Sequence, residues 1–253
     1  MLNKTFDEKY AQYYDLFNTG KDYKKECDFL EEIFKKYSLK PVKNILDLGC
    51  GTGRHDLYLS ERGYNIDGLD ISSEMIKIAI LNKRDNMQFY VGDMSNFSIG
   101  KKYDICISFF SSFGYLTKNK QIESALRCIN NHLNSGGLFI LDCWNGMGVL
   151  GDPPIQRIKE KDVNNLRIIR KSFPKLNTFN NTCEVKFEVS IFIGDELVDN
   201  FFEIHNVRYF FPLEIKEYFK SSELKLLGIH PQLDINSNVS EKDWNMWAIG
   251  RVK

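Results

Sequence analysis

The sequence predicts an α/β fold: a mostly parallel sheet covered by helices on both faces, carrying an inserted antiparallel β-sheet. Three observations predict it. Apolar strand-like runs alternate with helix-forming segments between residues 44 and 143, the order that packs a parallel sheet between two helical layers. The first run, Asn44-Ile45-Leu46-Asp47-Leu48, passes without a break into Gly49-Cys50-Gly51-Thr52-Gly53, a strand-to-helix turn of the kind that lets backbone N–H groups approach a ligand. After Asp152-Pro153-Pro154 the pattern changes to long runs in which β-branched and aromatic residues alternate with charged ones, as in an antiparallel sheet with one wetted face. A chain of 253 residues suits one large domain, or one domain with an insertion, around a single core.

Each element follows from its own pattern. Tyr23, Cys27, Leu30, Ile33, Phe34 and Tyr37 recur at helical spacing and predict a helix over residues 22–37. Strands are expected at 44–48, 65–70, 87–91, 103–109 and 138–143, with helices at 54–62, 72–83 and 120–133 between them. Ser72-Ser73-Glu74-Met75 resembles a capped helix start, and Asn134-Ser135-Gly136-Gly137 reads as a helix stop followed by a turn. Beyond the proline pair, strands are expected at 166–172, 183–193 and 197–211, with Gly194-Asp195-Glu196 turning the chain between the last two. A helix at 213–220 and strands near 224–229 and 244–252 return to the main sheet. Residues 1–150 and 212–253 are therefore expected to form the cofactor-binding unit. Residues 151–211 form the insertion, a lid, substrate surface or dimer surface.

Composition excludes several classes. Lys plus Arg and Asp plus Glu both total 34, so the basic excess that a nucleic-acid binder advertises is missing. The amino terminus has no apolar core of a signal peptide, and no run of ~18 apolar residues follows, which predicts a cytoplasmic protein without a membrane partner. Six cysteines lack Cys-x-x-Cys spacing and a nearby His pair, so buried reduced thiols are expected rather than disulfides or structural zinc.

The glycine turn fits two kinds of ligand. Dinucleotide-binding domains use Gly-x-Gly-x-x-Gly, but here the third glycine comes one residue early and Arg54 stands in its place. Asp47, beside the turn, would repel a pyrophosphate and attract an amino group. Asp70 ends the second strand, where an acid faces the ligand crevice and accepts ribose hydroxyls. Asp93 follows the third, where it is placed to accept from the exocyclic amine of adenine, with Met94 against the ring. Amino acid, ribose and adenine together describe S-adenosylmethionine.

With these residues in register, the chain resembles a class I S-adenosylmethionine-dependent methyltransferase through Leu46 to Gly53, Asp70, Gly92-Asp93-Met94, Tyr103-Asp104 and Leu133 to Gly137. It is further similar to the bacterial N,N-dimethyltransferases of nucleotide-linked amino-deoxysugars. That likeness runs through Tyr14-Asp15, Gly20 to Glu26, Gly53-Arg54-His55, Phe110 to Leu116, and Glu203 to Phe210. It departs in a shorter linker before Lys21-Asp22-Tyr23 and in Tyr115, where those enzymes carry a histidine associated with catalysis.

The resemblance implies a Rossmann-like sheet of seven strands and a methyl transfer to a small molecule, an amino group of a nucleotide-linked amino sugar. O-methylation of a small molecule is the alternative, and a non-catalytic cofactor-binding protein the one after it. It implies cofactor contacts from Tyr14, Tyr23, Asp47, Gly49, Cys50, Gly51, Thr52, Gly53, Asp70, Ile71, Met75, Gly92, Asp93, Met94, Phe109 and Phe110. Ser112, Phe113, Tyr115, Trp144, His205 and Arg208 would meet the acceptor, and a homodimer is favoured. Displacement on a sulfonium expels a neutral thioether and needs no metal, whereas an amine acceptor must be neutral to attack. Tyr14, Tyr115 and His205 are the candidates for that chemistry. Asp142, Trp144 and Asn145 are expected on the far wall. Packing roles stay open for Tyr14, Tyr115, Trp144 and His205.

Overall fold

The computed structural model describes residues 5–253, and residues 1–4 of the expected first unit lie outside it. The main sheet contains β1 (Asn44–Leu48), β2 (Asn65–Asp70), β3 (Met87–Val91), β4 (Tyr103–Ser108), β5 (Leu133–Trp144), β10 (Leu224–Pro231) and β11 (Asn245–Val252). Their order is β10-β11-β5-β4-β1-β2-β3, with β11 antiparallel to both of its neighbours and every other pair parallel. The chain leaves β1 toward β2 and β3, then crosses back to β4 on the other side. The crevice beyond the carboxyl ends of β1 and β4 is thus a topological switch point, where ligands bind in such sheets.

Alternation along the strands divides the core. Ile45, Ile66, Ile105, Ile107 and Ile140 face α2 (Tyr23–Tyr37) and α3 (Arg54–Glu61) on one side. Leu46, Leu48, Cys106, Phe139 and Leu141 face α5 (Asn119–His132) and α7 (Pro212–Ser221) on the other. The second sheet is an antiparallel meander of β6 (Arg157–Val163), β7 (Leu166–Asn177), β8 (Thr182–Ile193) and β9 (Glu196–Arg208). Asn164 and Asn165 both take positive φ in the β6–β7 hairpin, as a type I′ turn requires. Pro174 lies beyond the reach of β6, on the stretch of β7 paired only with β8, where its missing N–H costs no ladder bond.

Four features differ from the sequence expectation. α1 (Glu8–Phe17) is an additional helix, capped by the Asp7 side chain accepting from Tyr10 N. It packs Tyr10, Ala11 and Phe17 against Ile168, Val189 and Ile191 of the second sheet and Met75 of α4 (Ser73–Leu81), so it ties the two sheets together. β6, with a single apolar side chain between its charges, is an edge strand that periodicity did not reveal. A short helix, α6 (Gly146–Gly151), follows β5. The expected turn at 134–137 is absorbed into β5, whose register with β4 shifts between Tyr103 and Ile105. Asp104 stitches that corner, accepting from Lys43 N, Asn44 N and Asn134 Nδ2. All six cysteines are free, and four are buried.

Candidate functional site

The crevice contains two chambers and a recess. The larger chamber, about 540 Å³, is lined by Tyr14, Gly49, Gly51, Asp70, Ile71, Met75, Gly92, Asp93, Met94, Ser112 and Tyr115, together with residues 5–8. A recess of about 30 Å³ continues from it past Tyr23, Asp47, Cys50, Thr52, Phe109 and Phe110. The second chamber, about 420 Å³, lies against the second sheet and shares Phe6, Tyr14, Ser112 and Tyr115 with the first. Trp144 and His205 line it, as do Tyr10, Lys21, Glu26, Asp142 and Arg170.

The glycine turn is built for close packing as much as for ligand approach. Gly49, Gly51 and Gly53 all have positive φ. A Cβ at Gly49 would lie 2.5 Å from Cβ of Ser112, whereas at Gly51 the space is open up to the Tyr14 ring. Gly53 lines none of these hollows: a Cβ there would meet the Phe89 ring at 2.9 Å, so its smallness serves packing beneath α3. Asp70 accepts from Gly51 N and Ser72 N at 2.8 Å each, which fixes the turn to the start of α4. Burial raises its carboxyl against the pull of those N–H groups. Thr52 Oγ1 donates to Asp15 at 2.7 Å, fastening α1 over the turn.

Residues 5–7 form a strap across the larger chamber. Ser72 Oγ donates to Phe6 O at 2.8 Å, and Thr5 Oγ1 donates to Ile204 O at 3.1 Å. Glu203 of β9 accepts from Phe6 N at 3.1 Å and Asp7 N at 2.9 Å. Alternation along β9 puts His205 on the same face, with Nε2 2.9 Å from Glu203 Oε2 but off the line a hydrogen bond requires. The Tyr115 hydroxyl lies 2.7 Å from His205 Nδ1. With Tyr115 as donor, the imidazole proton is assigned to Nε2, facing the carboxylate. Phe6, Tyr10 and Phe187 enclose the imidazole with centroid separations of 5.1–5.2 Å. Burial raises the phenols of Tyr14 and Tyr115 well above their ordinary value, so both keep their protons at neutral pH.

The loop after β4 carries strain at the junction of the chambers. Phe110 and Ser111 are consecutive non-glycine residues with φ of 56° and 59°. Ser111 N donates to Asp142 at the end of β5, 2.9 Å away, and Lys21 Nζ lies 3.5 Å from the centroid of the turned-out Phe110 ring. Burial pushes Asp142 up to about 7. His55, in the first turn of α3, has Nε2 2.5 Å from Glu26, and burial lowers its pKa.

Two expected acceptor contacts lie elsewhere. Phe113 is turned into the core by the tight turn Ser112–Tyr115 and packs on Phe139 and Phe210. Arg208 is buried on the opposite face of β9 from His205, where it donates to Thr117 O, Asn119 Oδ1 and the Glu214 carboxylate. It ties β9 to α7 and lines neither chamber. Sequence reasoning missed Phe6, Tyr10, Lys21, Glu26 and Arg170 as lining residues. Tyr10, Tyr14 and Phe17, spaced by four and three, were the available signal for α1. His132 and His230 are satisfied structural residues, paired with Ile99 N and Cys128 O, and with Tyr37 and Ser237 O.

Among the described residues no helix is long and apolar enough to cross a membrane, and no cluster of three or more His, Cys, Asp or Glu is placed to hold a metal ion. Residues 45–137 match the family model of a methyltransferase domain. A dTDP-3-amino-3,6-dideoxy-alpha-D-glucopyranose N,N-dimethyltransferase of Streptomyces fradiae is 32% identical over 136 residues, 53% of this chain and 52% of the relative. A dTDP-3-amino-3,4,6-trideoxy-alpha-D-glucopyranose N,N-dimethyltransferase of Streptomyces venezuelae is 29% identical over 55% of this chain and 59% of its own. The chain thus spans a little over half the length of these curated relatives. A crystal structure of an S-adenosylmethionine-dependent methyltransferase from Clostridium acetobutylicum superposes with a TM-score of 0.82 at 22% identity, covering 96% of this chain and 98% of the other. That likeness establishes the fold.

Proposed function

The chain carries a class I S-adenosylmethionine-dependent methyltransferase domain, and we propose that it uses that domain to N-methylate the amino group of a nucleotide-linked amino sugar. The observation that carries this reading is the meeting of the two chambers at Tyr14, Ser112 and Tyr115. The larger chamber and its recess offer Asp47, Asp70 and Asp93 in the order that amino acid, ribose and adenine call for. Asp47 lines the recess and the space at Gly51 is open, both of which fit a ligand bearing an ammonium group there. The curated relatives are named for dTDP-linked amino sugars, which supports the acceptor class.

When bound, S-adenosylmethionine supplies a methyl group on a sulfonium whose leaving group is a neutral thioether. The chain must then orient the acceptor, exclude water and take up one proton. Phe6 and Tyr14 close the junction, and the strap held by Glu203 shields it. The proton route runs through Tyr115 to His205. The phenol oxygen accepts the acceptor's N–H proton while its own proton passes to Nδ1, 2.7 Å away, and the resulting imidazolium faces the Glu203 carboxylate. Tyr115, where the resembling dimethyltransferases carry a histidine, thus meets the imidazole of His205 on β9. Six free cysteines fit a reducing, cytoplasmic setting. The exposed Ile158, Leu197 and Phe202 of the second sheet fit a homodimer surface.

The test is transfer of a labelled methyl group to dTDP-linked 3-amino and 4-amino sugars, with dTDP-glucose as the hydroxyl control. Label is expected on the amino sugars, at a rate that rises with pH until the bound amine is neutral. Label on the hydroxyl control alone would turn the assignment to O-methylation, and cofactor binding without any transfer would leave only a cofactor-binding protein.

A further inference from the structure

Behind the recess the fold buries a second carboxylate that the proposed reaction does not use. Asp56, in the first turn of α3, is fully buried, and neither of its oxygens has a hydrogen-bond partner among the described residues. Asp47 is 2% exposed with Oδ1 equally unpartnered, yet the residue lines the recess. The two side chains interact with each other, and no donor among the described residues reaches Asp47 Oδ1 or either oxygen of Asp56. Facing carboxyl oxygens in a dry interior are stable only with a proton between them, because two adjacent negative charges without water or a cation are prohibitive.

Among the described residues none provides a free cation to the pair. Cys27 from α2, Cys50 from the glycine turn and Cys106 from β4 interact with the pair, and burial raises all three thiols, which keeps them neutral. Asp70 at the end of β2 and Asp142 at the end of β5 add negative potential. The basic groups nearby are engaged elsewhere. His55 and Lys21 both contact Glu26, at 2.5 and 3.2 Å, and Arg62 holds Asp28 and Glu31. Desolvation pushes Asp56 up to about 7 and Asp47 well above its ordinary range.

We propose that Asp47 and Asp56 act as a proton-sharing pair, and that the ammonium group at the amino-acid end of the cofactor, docking against Asp47, draws a proton off the pair into solvent. Asp56 is then a positioning residue: it never touches the cofactor, but it sets the charge that Asp47 presents to it. An added positive charge favours the ionised form of a neighbouring carboxyl, so the occupied pair holds fewer protons than the free one. Proton release on binding makes affinity rise with pH, by up to about tenfold per pH unit while the free pair still holds its proton. This rests on the cofactor reading above.

The experiment is calorimetry near neutral pH in buffers of different ionisation enthalpy, which counts protons released per ligand bound. The two probes are S-adenosylhomocysteine and 5′-methylthioadenosine, which share adenine and ribose but differ in the amino-acid end. Up to about one proton should be released with the first and none with the second. Any release caused by Asp70 at the ribose is common to both and subtracts out. In Asp56→Asn the amide donates permanently to Asp47, so S-adenosylhomocysteine should bind with no proton release and an affinity flat across neutral pH. Binding without release, equal release by both ligands, or undiminished release in a folded Asp56→Asn each overturns the pair. If that variant does not fold, the two-ligand comparison on the wild type decides. Failure of S-adenosylhomocysteine to bind defeats the cofactor reading itself and this inference with it, whereas if only 5′-methylthioadenosine fails to bind, the comparison of wild type with Asp56→Asn decides.

Discussion

Asp70 is the residue on which the cofactor assignment can be weighed most quantitatively. Its two oxygens accept from Gly51 N and Ser72 N at 2.8 Å each, and it lines the larger chamber where ribose hydroxyls are expected. Asp70→Asn keeps the shape, removes the charge and turns one of the two acceptors into a donor that faces a backbone N–H. A hydrogen bond to a charged group contributes about 1.5–3 kcal/mol, so losing that charge lowers ligand affinity roughly tenfold to a hundredfold. The mismatched N–H costs stability of the same order, about 1–3 kcal/mol, read as a lower melting temperature. S-adenosylhomocysteine and 5′-methylthioadenosine both carry the ribose, so calorimetry should show the same factor lost for both. Asp47→Asn, beside the recess, should weaken only the ligand with the amino-acid end. Wild-type affinity for both ligands in a folded Asp70→Asn refutes the assignment, and saturable binding of NAD would revive the dinucleotide alternative.

The remaining predictions concern the acceptor chamber and the frame around it. Tyr115→Phe and His205→Gln should each lower turnover on an amino sugar by about a hundredfold or more with cofactor affinity unchanged, and the double variant should lose little beyond either single one, because the two act as one relay; wild-type turnover in both would remove the relay. Burial pushes Asp142 up to about 7, so the native state binds its proton more tightly than the unfolded chain does, and this group's contribution to stability falls as pH rises from about 4 to about 7. Thermal melts should therefore fall between those limits by up to about 1.4 kcal/mol per pH unit on its account, and Asp142→Asn should flatten the dependence; an unchanged slope rejects the reading. Arg208→Ala leaves Glu214 without its cation and should cost about 2–4 kcal/mol in urea unfolding, with S-adenosylhomocysteine affinity intact; weakened cofactor binding with unchanged stability would show that Arg208 belongs to the site after all.

The sheet and the cofactor side of the crevice were legible because local rules and tertiary packing agree there. Ile45, Leu46 and Leu48 are apolar because the strand is buried on both faces, and Gly49, Gly51, Asp70 and Asp93 line the larger chamber at the strand ends. The acceptor chamber was only half legible. Alternation correctly put Glu203 and His205 on one face of β9 and Arg208 on the other, but it does not say which face meets a chamber. Phe113 looked like a chamber residue from its neighbours Ser112 and Tyr115, and the tight turn between them reverses its direction within one residue. α1 went unrecognised because polar and charged residues dilute its periodicity, and its buried face is defined by the distant Ile168, Val189 and Ile191. Asp56 gave no signal at all: an acid in the first turn of a helix is ordinary until the fold encloses it.

A crystal structure with S-adenosylhomocysteine tests the central claim most directly. The account predicts adenosine in the larger chamber between Asp70 and Met94, the amino-acid end in the recess with its ammonium on Asp47, and the sulfur directed at the junction of Tyr14 and Tyr115. Adenosine lodged in the chamber beside Trp144 and Arg170, or an amino-acid end turned away from Asp47, would contradict it.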